Sequence, residues 1–275
     1  FMFLKHDPAK YGSLADNFTT AIQKDRSGKV WFGTRQGLSI WNPANNSWQH
    51  LKNLSFSKQS SVPDVIKDLK SDDIHMWVAT YNDGVYKVNI ETLLRAHYSI
   101  DSKVKTGLQR VNALFVDSGK NVWVGGADGD LTQITAAGNI KTFNLRGVNV
   151  MTELSKGDML LGGKNGIFRI KKGREEVTQI KKLAPNEIDL PYFTINAISE
   201  TATGEIVIAT EGAGIVVYNQ AEDTYWTMDR NSGLPSNRIR GLLIYEDDEI
   251  WAGTSKGLVN FRAERDDAKV RIFDK

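Results

Sequence analysis

The chain has 275 residues, of which 40% are apolar and 25% charged, an ordinary globular composition that argues against a disordered chain. Its 35 basic and 33 acidic residues leave a net charge of +2, which excludes the broad basic stripe a nucleic-acid binder needs. The absence of cysteine excludes disulfides, thiol catalysis and Cys-ligated metals, and no apolar run approaches the roughly 20 residues that cross a bilayer as a helix. The opening "FMFLKHDPAK" lacks the basic start, apolar core and small-residue cleavage site of a signal peptide. It reads as the start of a mature or excised segment of something longer.

In chain order, the first element is an extra outer strand over residues 1–6 ("FMFLK"). Six repeats follow. Each contains a strand led by Trp or an aliphatic residue: "WFGTRQGLSIWN" from Trp31, "WVATYNDGVYKVN" from Trp77, "WVGGADGDLTQIT" from Trp123, "LLGGKNGIFRIK" from Leu160, "VIATEGAGIVVYN" from Val207 and "WAGTSKGLVNFR" from Trp251. Their starts are 46, 46, 37, 47 and 44 residues apart. Ahead of each lies an apolar run such as "FTTAIQKD", "VNALFVD" or "INAISE", then a turn such as "DRSGK" or "TATGE". Behind each, after a polar turn, lies a fourth run such as "SWQHL", "NIKTF", "TYWTM" or "KVRIF". Short β-branched and aromatic runs bounded by Gly, Asn and Asp are strands. Four strands recurring at this period predict an all-β chain, a β-propeller of four-stranded antiparallel blades with six blades visible. The expected blades are 17–52, 64–101, 110–144, 148–181, 194–229 and 238–274, within a single propeller domain over 1–275. The stretch "NIETLLRAHYS", Asn89 to Ser99, is expected to be a helical insertion before the fourth strand of its blade. Either six blades close the ring or the chain is a piece of a seven-bladed or larger array. The orphan strand at the start favours the second.

The repeated residues have structural explanations. Trp31, Trp77, Trp123 and Trp251 sit on the second strand of a blade, whose two faces are both covered, and supply large apolar bodies there. Gly33 and its counterparts permit close approach of the next blade. Gly37, Gly84, Gly129, Gly166, Gly214 and Gly257 sit where a hairpin turn calls for positive φ. The residues between these glycines vary. In a propeller that turn shares one face with the linkers that enter the next innermost strand, and loops on a rigid scaffold carry function. The candidate ligand-binding residues are therefore Arg35, Tyr81, Asp83, Asp128, Lys164, Glu211 and Lys256 from the turns, with Arg110, Asn237 and Arg238 from the linkers. Arginine suits carboxylates or sugar hydroxyls, and Tyr81 offers a ring to stack on.

The pattern "D-N-x-x-x-x-I-x-x-D-x-x-G-x-x-W-x-G-T-x-x-G-L-x-x-W", Asp16 to Trp41, resembles the repeat of two-component regulator propellers. "SGLPSNRIRGLLIYEDDEIWAGTSKGLVNF", Ser232 to Phe261, resembles it nearly as well, whereas the fourth and fifth repeats lack the Trp. The resemblance implies a periplasmic sensor domain of a bacterial hybrid histidine kinase or related signalling protein. It further implies a small-molecule or oligosaccharide ligand and homodimerisation of the full-length sensor. It transfers the fold and not the identity of the ligand.

No cofactor, nucleic acid or membrane contact is expected of the segment, and no catalytic motif is visible. The four histidines, His6, His50, His75 and His97, show neither H-x-H nor HExxH spacing. No G-x-S-x-G elbow is present, and "GADGD", Gly126 to Asp130, lacks the later Glu of a calcium loop. Two alternatives stay open. One is a propeller lyase or other carbohydrate-active enzyme. Streptogramin-inactivating lyases are similar in size but carry Thr-Glu where this chain has "FGT", and Asp83, Asp128 and Glu211 are the acids that could pair. The other is a protein-docking scaffold, for which the linker "PNEIDLPYF", with Tyr192 and Phe193, is the candidate segment.

Overall fold

The structure, a computed structural model, describes residues 4–51, 54, 65–98, 110–127, 129–180, 193–222, 224–245, 248–262 and 271–273. They form six four-stranded antiparallel sheets, each with its strands in chain order. Two compact units divide the chain, 1–146 and 147–275, with three sheets in each.

Unit 1 holds three blades. The first is β1 (Thr19–Lys24), β2 (Val30–Thr34), β3 (Gly37–Asn42) and β4 (Ser47–Leu51). The second is β5 (Ile66–Ser71), β6 (His75–Thr80), β7 (Val85–Asn89) and β8 (Arg95–Tyr98). The third is β9 (Val111–Val116), β10 (Val122–Gly126), β11 (Asp130–Ile134) and β12 (Ile140–Arg146). Unit 2 holds the fourth blade, β13 (Val148–Glu153), β14 (Met159–Gly163), β15 (Gly166–Ile170) and β16 (Val177–Ile180). The fifth is β17 (Ile195–Glu200), β18 (Glu205–Thr210), β19 (Ile215–Asn219) and β20 (Thr224–Met228). The sixth is β21 (Ile239–Tyr245), β22 (Glu249–Thr254), β23 (Gly257–Arg262) and β24 (Arg271–Phe273). Residues 1–3 of the expected extra strand at 1–6 lie outside the described residues, and Leu4 to His6 are not in a strand.

Apolar side chains of opposite parity on each second strand enter different interfaces, because successive strand residues face opposite sides. On β6, Met76 and Val78 join Trp31, Leu38 and Ile40 of blade 1, whereas Trp77 and Ala79 join Val111, Leu114 and Val124 of blade 3. On β18, Ile206 and Ile208 join Leu160 and Ile167 of blade 4, whereas Val207 and Ala209 join Ile239, Ile250 and Val259 of blade 6. This two-sided burial is why these strands read as continuous apolar runs without alternation. Fourth strands are outermost and alternate or are exposed, as in β4 and β24.

The glycine two residues beyond each leading residue tests the close-approach reading. A Cβ on Gly33 would lie 2.6 Å from Cγ2 of Ile66, the first residue of the next blade, and one on Gly162 would lie 2.7 Å from Cγ2 of Ile195. Gly253, the equivalent in blade 6, faces open space. The same blade exposes Leu243, Tyr245, Leu258 and Phe273, and Trp251 is only half-buried. The hairpin glycines behave as expected at Gly37, with φ +96°, and at Gly214, with φ +79° and backbone where any Cβ would go.

The expected helix at Asn89 to Ser99 is not there. Residues 90–92 make a turn and Arg95–Tyr98 is β8. The Asn89 side-chain oxygen accepts the backbone N–H of Glu91 and Thr92 and the Thr92 hydroxyl. Leu93 then takes φ +58°. An Asn that bonds the backbone two residues ahead favours a turn over a helix.

Candidate functional site

The first and second strands of a blade run antiparallel, so the start of one and the end of the other share an end of the sheet. Pairing joins Thr19 to Thr34, Ile66 to Thr80, Ile195 to Thr210 and Ile239 to Thr254. The next turn residue then bonds back to the linker: Tyr81 N–H donates to Val65 C=O, Ala127 to Arg110, Glu211 to Thr194 and Ser255 to Arg238. The variable turns and the linkers therefore form one loop end per blade, as the sequence reading requires.

A third class of position completes that end. Every first strand carries a register shift at its second residue, so that Thr20, Lys67, Asn112, Asn149, Asn196 and Arg240 fall outside the ladder register. Such bulges re-aim a side chain. The Thr20 hydroxyl donates to the carbonyl of Gly33 at 2.9 Å and to that of Ile66 in the next blade at 2.7 Å. In unit 2, Asn196 Nδ2 donates to Ile239 C=O at 2.7 Å and to Glu211 Oε2 at 2.9 Å. Sequence reasoning missed these six residues. In blades 3, 4 and 5 the signal was an Asn lodged between apolar residues at the start of the first strand, as in "INAI" and "VNAL", whereas Thr20 and Lys67 have a polar neighbour and give no such signal.

In unit 1 the loop end sets cations against aromatic rings. The Arg35 guanidinium lies 3.6 Å above the centroid of the Phe18 ring. Arg110 Nη2 donates to the Tyr81 hydroxyl at 2.9 Å with its Cζ 5.4 Å from the ring centroid, and the Lys67 ammonium is 5.7 Å from the same centroid. Asp83 turns away from this group. Its carboxylate accepts the Tyr86 hydroxyl at 2.6 Å, its carbonyl meets His97 Nε2 at 2.6 Å, and the His97 ring stacks on Tyr86. Asp128 lies outside the described residues, as do residues 185–192 of the long linker. Phe193 packs against the core between blades 4 and 5.

In unit 2, Glu211 is gripped by Asn196 and lies 3.5 Å from Arg238 Nε. Asn237 belongs to the scaffold, since its side-chain oxygen accepts Arg230 N–H and its carbonyl accepts Gly214 N–H. Lys164 and Lys256 are exposed turn residues. Of the three acids that could pair, the two described ones are engaged separately, Asp83 with Tyr86 and Glu211 with Asn196. Among the described residues no cluster of three or more His, Asp or Glu could hold a metal.

The strongest carboxylate bonding sits at the other end of the blades, in the turns between first and second strands. Asp25 Oδ1 accepts the Ser27 and Lys29 N–H groups and the Ser27 hydroxyl, and Oδ2 accepts the Trp31 indole N–H at 2.7 Å. Asp72 accepts Trp77 and Asp117 accepts Trp123 in the same way, at 2.7 and 2.8 Å. Burial pushes the Asp72 carboxyl up, but the Trp77 indole, the His75 and Ile74 N–H groups and the nearby His75 ring outweigh it and hold it below its ordinary value. Asp158, bonded by Lys172 N–H and Arg169, and Glu205, bonded by Thr201 and Thr203, are lowered against burial likewise. These acids build turns and lie away from the variable residues.

Comparisons with known proteins agree with this architecture. The family profile described as two component regulator propeller matches residues 13–36. Histidine kinase P4 of Formosa agariphila is 24% identical over 92% of this chain, which spans 19% of that protein. A solved extracellular domain assigned to a hybrid two-component system of B. thetaiotaomicron superposes with TM-score 0.73 at 22% identity, covering 92% of this chain and 34% of that one. A catalytically inactive virginiamycin B lyase from Staphylococcus aureus, solved with quinupristin, superposes with TM-score 0.71 at 13% identity, covering 94% and 84%. With its repeat matched at residues 13–36 and six four-stranded antiparallel sheets, the chain is a β-propeller that carries the two-component regulator propeller repeat.

Proposed function

We propose that this chain is a non-catalytic, ligand-binding part of an extracytoplasmic sensor in bacterial two-component signalling. The observation that carries the reading is the split within each blade: repeated residues hold the scaffold, and the residues that vary gather at one loop end. The resemblance to extracellular domains of hybrid two-component systems supports an extracytoplasmic, periplasmic setting. Among the described residues no helix is long and apolar enough to cross a membrane. The ligand is a small molecule or oligosaccharide, and the full-length sensor acts as a homodimer.

The likeness to virginiamycin B lyase raises an enzymatic alternative. The histidines favour binding instead, because each is committed to a local contact. His6 Nδ1 meets Leu14 C=O, His50 lies between Ser39 and the Tyr11 carbonyl, His75 pairs with Asp72, and His97 stacks on Tyr86. A thermal-shift screen against oligosaccharides and small organic acids tests the proposal, since a ligand of the folded state raises the melting temperature. A stabilising compound recovered unchanged after incubation supports it. A compound cleaved or isomerised by the protein refutes it.

A further inference from the structure

At the loop ends of unit 1 three cations lie beside solvent-open aromatic rings. At the turn, linker and bulge positions of blades 1 and 2 the cations are Arg35 and Lys67, and Arg110 enters from blade 3. Neither Arg35 nor Lys67 has a carboxylate within ion-pair distance among the described residues, and each lies over an aromatic ring instead. The nearby described acids are engaged elsewhere. Asp16 accepts Phe18 N–H, Asp83 accepts Tyr86, and Asp68 accepts Leu114 N–H and lies 3.6 Å from Lys70. The rings are open to solvent, Phe18 at 51% and Tyr81 at 37% exposure. The Tyr81 oxygen accepts Arg110 and keeps its own proton to donate. The two blades meet at this end through Thr20 and the Ile66 carbonyl.

From this arrangement we infer that the loop end of unit 1 binds an organic anion, a small acidic molecule whose carboxylate or sulfate is met by Lys67 while its carbon frame lies against Tyr81, the ring whose hydroxyl Arg110 holds. The inference rests on the sensor reading above and adds the class of ligand. Guanidinium and ammonium donors give the strong, charge-assisted bonds to such groups. An exposed ring beside them rejects a bare, strongly hydrated ion and favours an anion with an apolar face. A neutral sugar gains only the second contribution.

The test is calorimetric titration of the full chain with glucuronate, glucose 6-sulfate, glucose and inorganic sulfate. The two acidic sugars are expected to bind about tenfold or more tightly than glucose, the loss of one charge-assisted contact. Their binding is expected to weaken with added salt. Binding by one acidic sugar alone assigns the site to carboxylates or to sulfate esters and supports the inference either way. Lys67→Gln, which removes a charge that has no carboxylate partner among the described residues, is expected to weaken the acids about tenfold at unchanged melting temperature, and Arg110→Gln checks the same site from the next blade. Glucose binding as tightly as the acids overturns the anion inference and leaves the sensor reading standing. So does an affinity for the acids that both variants leave unchanged. Inorganic sulfate binding as well as the acidic sugars also overturns it, as an adventitious ion only. Silence from all four probes, with the oligosaccharide screen also silent, overturns both.

Discussion

Asp25 shows how a single side chain fixes a blade. It closes the turn between β1 and β2 with one oxygen and satisfies the buried indole of Trp31 with the other. A buried indole N–H without a partner carries a desolvation cost, so the two residues are one unit. Asp25→Asn can place its amide against the indole N–H, two donors facing each other. It is expected to lower stability by about 2 kcal/mol, read as a drop in the urea midpoint at unchanged slope. An unchanged midpoint would show that the bond contributes nothing. The lowered carboxyls set the acid limit. A carboxyl held lower in the folded chain contributes stability above its unfolded value and loses it as pH falls through the folded one. For Asp72 and Asp158 that loss begins near the ordinary value of 3.8, and for Glu205 near 4.5. The melting temperature should therefore hold from neutral pH to about pH 5 and fall below it. Asp72→Asn should flatten that fall, measured by calorimetry across the pH range.

At the scale of the element, the contact between a glycine on one second strand and the first residue of the next blade sets the spacing. Gly33→Ala presses a methyl into the stiff, β-branched Ile66 and is expected to cost about 1–3 kcal/mol. Gly253→Ala meets open space and is expected to change stability by less than about 0.5 kcal/mol. Chemical denaturation of both variants checks the pair, and equal effects would contradict the packing described. Much at this scale was legible in the sequence. Trp31, Trp77 and Trp123 fell on the buried strands, and Gly37, Gly84, Gly166, Gly214 and Gly257 have the positive φ expected of them. Two features were not legible for physical reasons. Leu93 and Leu94 look like a helix only if Asn89 is passive, and its side chain instead captures the following N–H groups. The bulge residues were hidden because a period of two assumes an unbroken ladder, and one inserted residue changes which side chain reaches the loop end.

For the whole chain, a net charge of +2 does not tell how the charged groups are partnered. Acids with strong bonding sit in the turns between first and second strands, and cations over aromatic rings gather at the loop ends of unit 1. Arg35, Tyr81 and Arg110 could be placed at the loop end from the sequence because they vary within a repeat that does not. Lys67 was not, since only the bulge brings it to Tyr81. Asp83 was legible as a turn residue but not as the partner of Tyr86, a contact made across the hairpin. Hydrogen–deuterium exchange with and without glucuronate tests the central claim most directly, that recognition belongs to the loop ends and architecture to the opposite turns. The account predicts slowed exchange at residues 65–67, 80–84 and 110–112 and no change at 25–29 and 117–121. Protection confined to those opposite turns would contradict it.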